Sequence, residues 1–183
     1  EANTQKVETP TYTRINADLE INAKAALVVE KNTGKIIYEK DAYEQNYPAS
    51  VTKVLTAILT IEKCNLDDTA TVSQSAISHI PSGYVIAPLY VGEQIKIKDL
   101  LYALMLKSAN DAAYVLAEHV GGSVEGFSEM MNNKAKEIGC KNTHFVNPNG
   151  MHNSNHYTTA YDMYLISDYA MKNEIFAKIV STY

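Results

Sequence analysis

No apolar run in this chain approaches the roughly 18 residues that a membrane-spanning helix needs, so no segment reads as a transmembrane helix. Cysteine is scarce. Cys64 and Cys140 are the only two, their spacing matches neither a zinc site nor a redox motif, and one disulfide is not a framework. The redox compartment stays open on that count. A basic excess is missing as well: the formal net charge is −5, no basic patch stands out, and nucleic acid is excluded as an expected partner. Tryptophan is absent while tyrosine occurs 13 times, from which nothing functional follows. There is no internal repeat and no low-complexity segment. The start, EANTQKVETPTYTR, has no signal-peptide pattern and reads as a mature or processed terminus. A secreted protein without its leader and a cytosolic protein both fit that. What is present is ordinary: 46% hydrophobic and 20% charged residues over 183 positions, enough for one globular domain with a core of its own.

Along the chain, residues 1–20 are polar and read as an extended arm, and residues 21–183 as one domain. AALVVEKNTGKIIYEKDA holds two β-branched runs around a KNTGK turn, where Asn and Gly supply positive φ; this spells a β-hairpin. From Ser50 the apolar spacing becomes helical through about Lys63. A long, Gly/Pro-punctuated stretch follows, with short strand-like pieces TATV and QIKI. LLYALMLKSANDAAYVLAEHVGG gives two apolar helical stretches broken by KSAND and stopped by Gly121–Gly122. VEGFSEMMNNKAKEIG is a helix ending at Gly139. CKNTHFVNPNGMHNSNHYT is a polar loop, and Thr159 with Asp162 three residues on has the form of a helix start. The result is a hairpin followed by a mostly helical body. A two-stranded hairpin is marginal by itself, and no good strand follows residue 100. The last residues, KIVSTY, carry no helix stop. The expectation is therefore that the chain is cut short, with further strands beyond it.

Two short patterns carry possible chemistry. In PASVTK, Lys53 lies three residues after Ser50 at the first turn of an apolar helix. A cation there opposes the helix dipole at a cost of a few tenths of a kcal/mol, and a capping box would place Glu or Gln instead. Side chains at i and i+3 share a helix face, with Cβ atoms about 5–6 Å apart. A partly desolvated Lys53 loses its proton more readily and can then take the proton of the Ser50 hydroxyl, while nearby backbone N–H groups face a developing oxyanion. The plainer reading is an N-capping Ser50 with Lys53 reaching solvent, and SxxK alone favours it. The second pattern is Ser108-Ala109-Asn110 between two apolar helices. There a hydroxyl suited to proton relay and an amide suited to a substrate peptide stand two residues apart; the plainer reading is a helix–helix turn capped by Asn110 or Asp111. His144, His152 and His156 lie in one polar loop at spacings that do not support a chelate, so they read as solvated, and no metal is expected.

SxxK followed by S-x-N supplies two of the three elements that mark penicillin-binding proteins and class A β-lactamases. AALVVEKNTGKIIYEKDAYEQNYPASVTKVLTAIL, LLYALMLKSANDAAYVLAEHVGGS and NTHFVNPNGMHNSNHYTTAYDM together resemble the D-alanyl-D-alanine carboxypeptidases of the low-molecular-mass penicillin-binding protein family, over nearly all of the chain from Ala25. The resemblance implies an α+β, β-lactamase/transpeptidase-like fold. It makes Ser50 the acylated nucleophile, Lys53 its base, Ser108 a proton shuttle and Asn110 a substrate-binding residue. It implies a peptidoglycan stem peptide ending in D-Ala-D-Ala as substrate, β-lactams as mimics that acylate Ser50, and no cofactor. It also implies a place outside the cytoplasmic membrane, often with a C-terminal amphipathic tether. The nearest alternatives are a D,D-endopeptidase and a β-lactamase. SAN rather than SDN, and no evident Glu-bearing deacylation loop, weigh against the latter.

The third element, Lys-Thr-Gly, does not follow Ser108; Lys31-Asn32-Thr33-Gly34 is interrupted and lies in the hairpin turn. This leaves a non-catalytic, wall-binding piece as the alternative from another class. The expectation is that the 183-residue chain by itself releases D-Ala weakly or not at all. Full turnover in a D-Ala release assay would overturn the expectation of a truncated chain.

Overall fold

The hairpin forms where the turn signal places it. In the computed structural model, which describes residues 21–182, β1 (Ala26–Val29) pairs antiparallel with β2 (Ile36–Lys40), with an irregularity in register between Val28 and Val29. Gly34 takes φ 68° in the turn, the left-handed region open to glycine. The Glu30 carboxylate gathers the Asn32 and Thr33 backbone N–H groups at 3.0 and 2.8 Å. The arm expected over residues 1–20 lies outside the described residues.

The apolar run after Ser50 becomes α1 (Lys53–Lys63), entered through a tight 3-10 turn, Ala49–Thr52. Its periodic residues Leu55, Ile58 and Leu59 are buried, and α1 packs against α3 (Ile97–Leu106), α4 (Asn110–Gly121), α5 (Val124–Ile138), α6 (Ala160–Met171) and α7 (Glu174–Val180). It is the central element of the helical body because its apolar positions occupy most of its circumference. The stripe Leu100, Leu101 and Leu104 of α3 joins the same core. The strand-like pieces form strands, and they pair with one another: β3 (Thr69–Thr71) runs antiparallel to β4 (Gln94–Lys96). Between them lies a short α2 (Gln74–Ser78), capped by the Ser73 hydroxyl, that the sequence pattern does not reveal. Gly122 and Gly139 end α4 and α5 in left-handed conformations, φ 73° and 103°. Among the described residues, the only pairing after β4 is two isolated bridges, Asn46 with Thr158 and His144 with Tyr157.

The first bridge ties the long polar loop 140–159 to the connection that precedes Ser50, and the second closes the loop on itself. The loop is pinned at its other points too. Asn132 of α5 makes a two-way amide contact with the Phe145 backbone, 2.8 Å in each direction. Asp162, in the first turn of α6 and 2% exposed, accepts from the Asn142 N–H at 2.8 Å, the Thr143 hydroxyl at 2.7 Å and the Lys141 N–H. Its own N–H is capped by the Thr159 hydroxyl at 3.0 Å, so the expected helix start is borne out.

Truncating that carboxylate leaves two backbone N–H groups and the Thr143 hydroxyl without their shared acceptor. Asp162→Ala is expected to lower unfolding stability by about 2–3 kcal/mol, read as a drop in thermal midpoint of the intact protein; an unchanged midpoint would mean the loop is anchored elsewhere.

Candidate active site

The turn before α1 is strained at its first residue. Ala49 sits at φ 49°, a conformation costing a non-glycine residue of order 1 kcal/mol or more. It is held there from outside. Gly150, at φ 86°, lies so close that a Cβ on it would fall 1.8 Å from the Ala49 carbonyl oxygen and 2.9 Å from the Thr52 hydroxyl oxygen. Only glycine satisfies both the backbone angle and the approach.

The turn presents Ser50 to solvent and buries Lys53, the first residue of α1, to 2% exposure. Lys53 does not reach solvent, and Ser50 does not cap the helix; the N-cap position belongs to Thr52. Both plainer readings of PASVTK are therefore corrected. The Lys53 Nζ donates to Ser50 Oγ at 3.1 Å, Asn110 Oδ1 at 3.0 Å and the Asn149 carbonyl at 3.1 Å. All three acceptors are neutral. Desolvation with no anion in the set lowers the amine's pKa from 10.5 to about 8. A neutral amine has two N–H donors and one lone pair, so two protons can stay on Asn110 and Asn149 while the lone pair faces the Ser50 hydroxyl.

Asn110 opens α4, and its amide is oriented by the main chain. Its backbone N–H and its Nδ2 both donate to the Val85 carbonyl at 2.9 Å, leaving Oδ1 for Lys53 and for Asn149 Nδ2 at 3.0 Å. The reading of Asn110 as a substrate ligand thus misses its first contact, which is with Lys53. The next residue fixes the Val85 loop. Asp111, 1% exposed, accepts from Ala87 N–H at 2.9 Å and Leu89 N–H at 3.2 Å, rather than simply capping α4. Ser108 occupies the same turn at φ 56°, half-buried. Its hydroxyl is not among the partners of Lys53, so the structure joins Ser50, Lys53 and Asn110 and leaves Ser108 beside them. Ser82 and Gly83 line a cavity of about 240 Å³ with Ile77, Ile80, Leu89 and Asp111, whose lining does not include Ser50 or Lys53.

The third wall is the loop 145–156, which no spacing rule marks as part of the site. Asn149 supplies its carbonyl to Lys53, and the Pro148 carbonyl accepts from the Thr56 hydroxyl of α1 at 2.6 Å. The three loop histidines do not converge. His144 Nδ1 meets the Asn155 carbonyl, and the His152 ring packs edge-on at 4.5 Å to Tyr47. His156 is 1% exposed, correcting its reading as a solvated residue. The Val146 N–H donates to its Nδ1 at 3.1 Å, which leaves the proton on Nε2, 2.8 Å from the Thr52 hydroxyl. Burial, then the neighbouring His144, pushes its pKa down to about 4, consistent with a neutral ring.

Comparison with known proteins gives a consistent picture. The sequence family described as D-alanyl-D-alanine carboxypeptidase matches residues 10–183. The D-alanyl-D-alanine carboxypeptidase DacF of Bacillus subtilis is 38% identical over 172 residues, covering 91% of this chain and 43% of DacF. The chain therefore spans less than half of that relative's length. Among solved structures, the D-alanyl-D-alanine carboxypeptidase DacD of Francisella tularensis superposes with TM-score 0.83 at 32% identity, over 98% of this chain and 43% of that one. A mutant form of the Streptomyces K15 DD-transpeptidase superposes with TM-score 0.82 at 32% identity, over 95% and 67%. The α+β, DD-peptidase/penicillin-binding fold expected from the sequence is thereby established.

A side chain at position 150 tests how closely the loop and the nucleophile turn fit. Gly150→Ala is expected to cost about 2–4 kcal/mol of stability and to displace the Ala49 turn. A variant with unchanged melting and unchanged reactivity at Ser50 would show that the close approach constrains nothing.

Proposed function

The chain belongs to the D-alanyl-D-alanine carboxypeptidase family of serine peptidases, and on that footing we propose that the intact protein removes the terminal D-Ala from peptidoglycan stem peptides through an acyl-enzyme on Ser50. The observation that carries this reading is the buried Lys53 amine, surrounded by neutral acceptors and 3.1 Å from the Ser50 oxygen. Neutral Lys53 takes the Ser50 proton as Oγ attacks the carbonyl carbon of the D-Ala–D-Ala bond. The C–N bond breaks, the proton goes to the departing nitrogen, and free D-Ala leaves an ester on Ser50. Ser108, on the turn that leads into Asn110, serves as the shuttle for that proton. Asn110 holds Lys53 through Oδ1 and, with its second amide proton, serves the substrate peptide. Water then attacks the ester carbonyl. The acyl–Oγ bond breaks, a carboxylate product departs, and Ser50 regains its proton. A β-lactam acylates Ser50 by the same attack, but its amine stays attached to the opened ring.

The substrate places the protein on the outer side of the cytoplasmic membrane, in the cell envelope or secreted; a membrane tether belongs to the same proposal. No nucleic acid and no metal or other cofactor enters the chemistry.

Fluorescent penicillin is expected to label the intact protein, and Ser50→Ala to abolish labelling. Lys53→Ala should slow acylation by about 100-fold or more. Because the free amine is the reactive form, the acylation rate should climb as pH rises through about 8 and level off above it. Labelling that survives Ser50→Ala would refute the nucleophile; a rate flat across that range would refute the base. Absence of any labelling would favour a non-catalytic, wall-binding role.

A further inference from the structure

We propose that His156 and Thr52 form a positioning pair, in which the imidazole holds the hydroxyl at the back of the 3-10 turn and thereby sets where Ser50 and Lys53 stand relative to one another. This rests on the acyl-enzyme reading of Ser50 and adds to it two residues that touch neither substrate nor the reacting atoms.

The first argument is the reach of the hydroxyl. Thr52 closes the 3-10 turn that runs directly into α1, with helical backbone angles of φ −46° and ψ −37° and no side-chain cap; a capping hydroxyl belongs to a residue of extended backbone. The Thr52 oxygen instead meets His156 Nε2 at 2.8 Å, across 104 residues of chain. Its one side-chain bond is long-range.

The second is geometry. A 3-10 turn has about three residues per turn, so Ser50 and Lys53 share one face while Thr52 points off it. Thr52 is wholly buried whereas Ser50 is exposed. The hydroxyl of Thr52 is thus a handle on the rear of the segment that carries nucleophile and base.

The third is that the other end of the pair is fixed. His156 accepts the Val146 N–H at Nδ1, which sets its tautomer, and its ring lies edge-on to Phe145 at 5.3 Å between centroids. Phe145 is itself held by the Asn132 amide. The imidazole therefore transmits the position of α5 and the loop to Thr52 through hydrogen bonds of defined direction. Gly150 abuts the same hydroxyl and the strained Ala49, so the turn is held at two points by one loop.

A merely structural histidine would make the same contacts, so the test separates the two roles. Asparagine at 156 can still accept the Val146 N–H but falls short of Thr52; glutamine can reach Thr52. In the intact protein, the rate constant for acylation of Ser50 by a fluorescent penicillin is measured apart from its non-covalent affinity and from the thermal midpoint. His156→Asn and Thr52→Val are each expected to slow acylation by about 10- to 100-fold with non-covalent affinity held within about twofold. His156→Gln and Thr52→Ser are expected to restore most of the rate. The double variant Thr52→Val/His156→Asn should be no slower than either single one, the mark of a shared interaction. Parent-like acylation by folded His156→Asn, or losses that multiply in the double variant, overturns the pair. If one variant does not fold, its partner's rescue series decides alone. A parent protein that is never acylated at Ser50 overturns the acyl-enzyme reading itself, which distinguishes that failure from failure of the pair.

Discussion

A lysine amine taken out of water and given only neutral partners is the constraint on which the site depends. With a carboxylate within reach, the charged form of Lys53 would be favoured and the amine would serve as an anchor. With backbone and amide carbonyls instead, its hydrogen bonds remain satisfied while its charge is penalised. Three parts of the chain far apart in sequence must meet to arrange this: the turn before α1, the start of α4, and the loop after α5. The helical packing around α1 makes them meet, because the core that buries Leu55, Ile58 and Leu59 also fixes where the first residue of that helix points.

Two buried carboxylates perform the same task on opposite sides. Asp111 collects backbone N–H groups from the loop 85–89, and Asp162 collects those of Lys141 and Asn142 together with the Thr143 hydroxyl. Each stands in the first turn of a helix, where the dipole favours an anion, and each turns an irregular segment into a wall. Hydrogen bonding of these irregular segments is therefore gathered at two helix starts.

Much of this is legible in the residues. The hairpin, the helices after Ser50, the break at KSAND and the start at Thr159 follow from period, glycine and capping rules that act over a few residues. Ser50 and Lys53 are legible because an unfavourable cation in a first turn asks for a reason. Asn149, Gly150, Thr52 and His156 are not. Their partners lie dozens of residues away or more in an irregular loop, where hydrogen-bond geometry rather than periodicity decides the contacts. His156 misleads for that reason: a polar loop suggests water, and only the fold shows that this loop is packed against α1. The short α2 escapes the pattern because five residues carry too little period to register.

The Val85 carbonyl has a consequence beyond orienting Asn110. It is a main-chain atom, present whatever residue occupies that position, and it accepts from both the backbone N–H and the side-chain amide of Asn110. The side chains of Tyr84, Val85 and Ile86 meanwhile stand about half exposed, at 47%, 55% and 46%. Chemistry and surface are thus written in different parts of the same three residues. Substitution can reshape the face they offer to whatever approaches, while the peptide bond beneath goes on aiming the amide that serves the lysine.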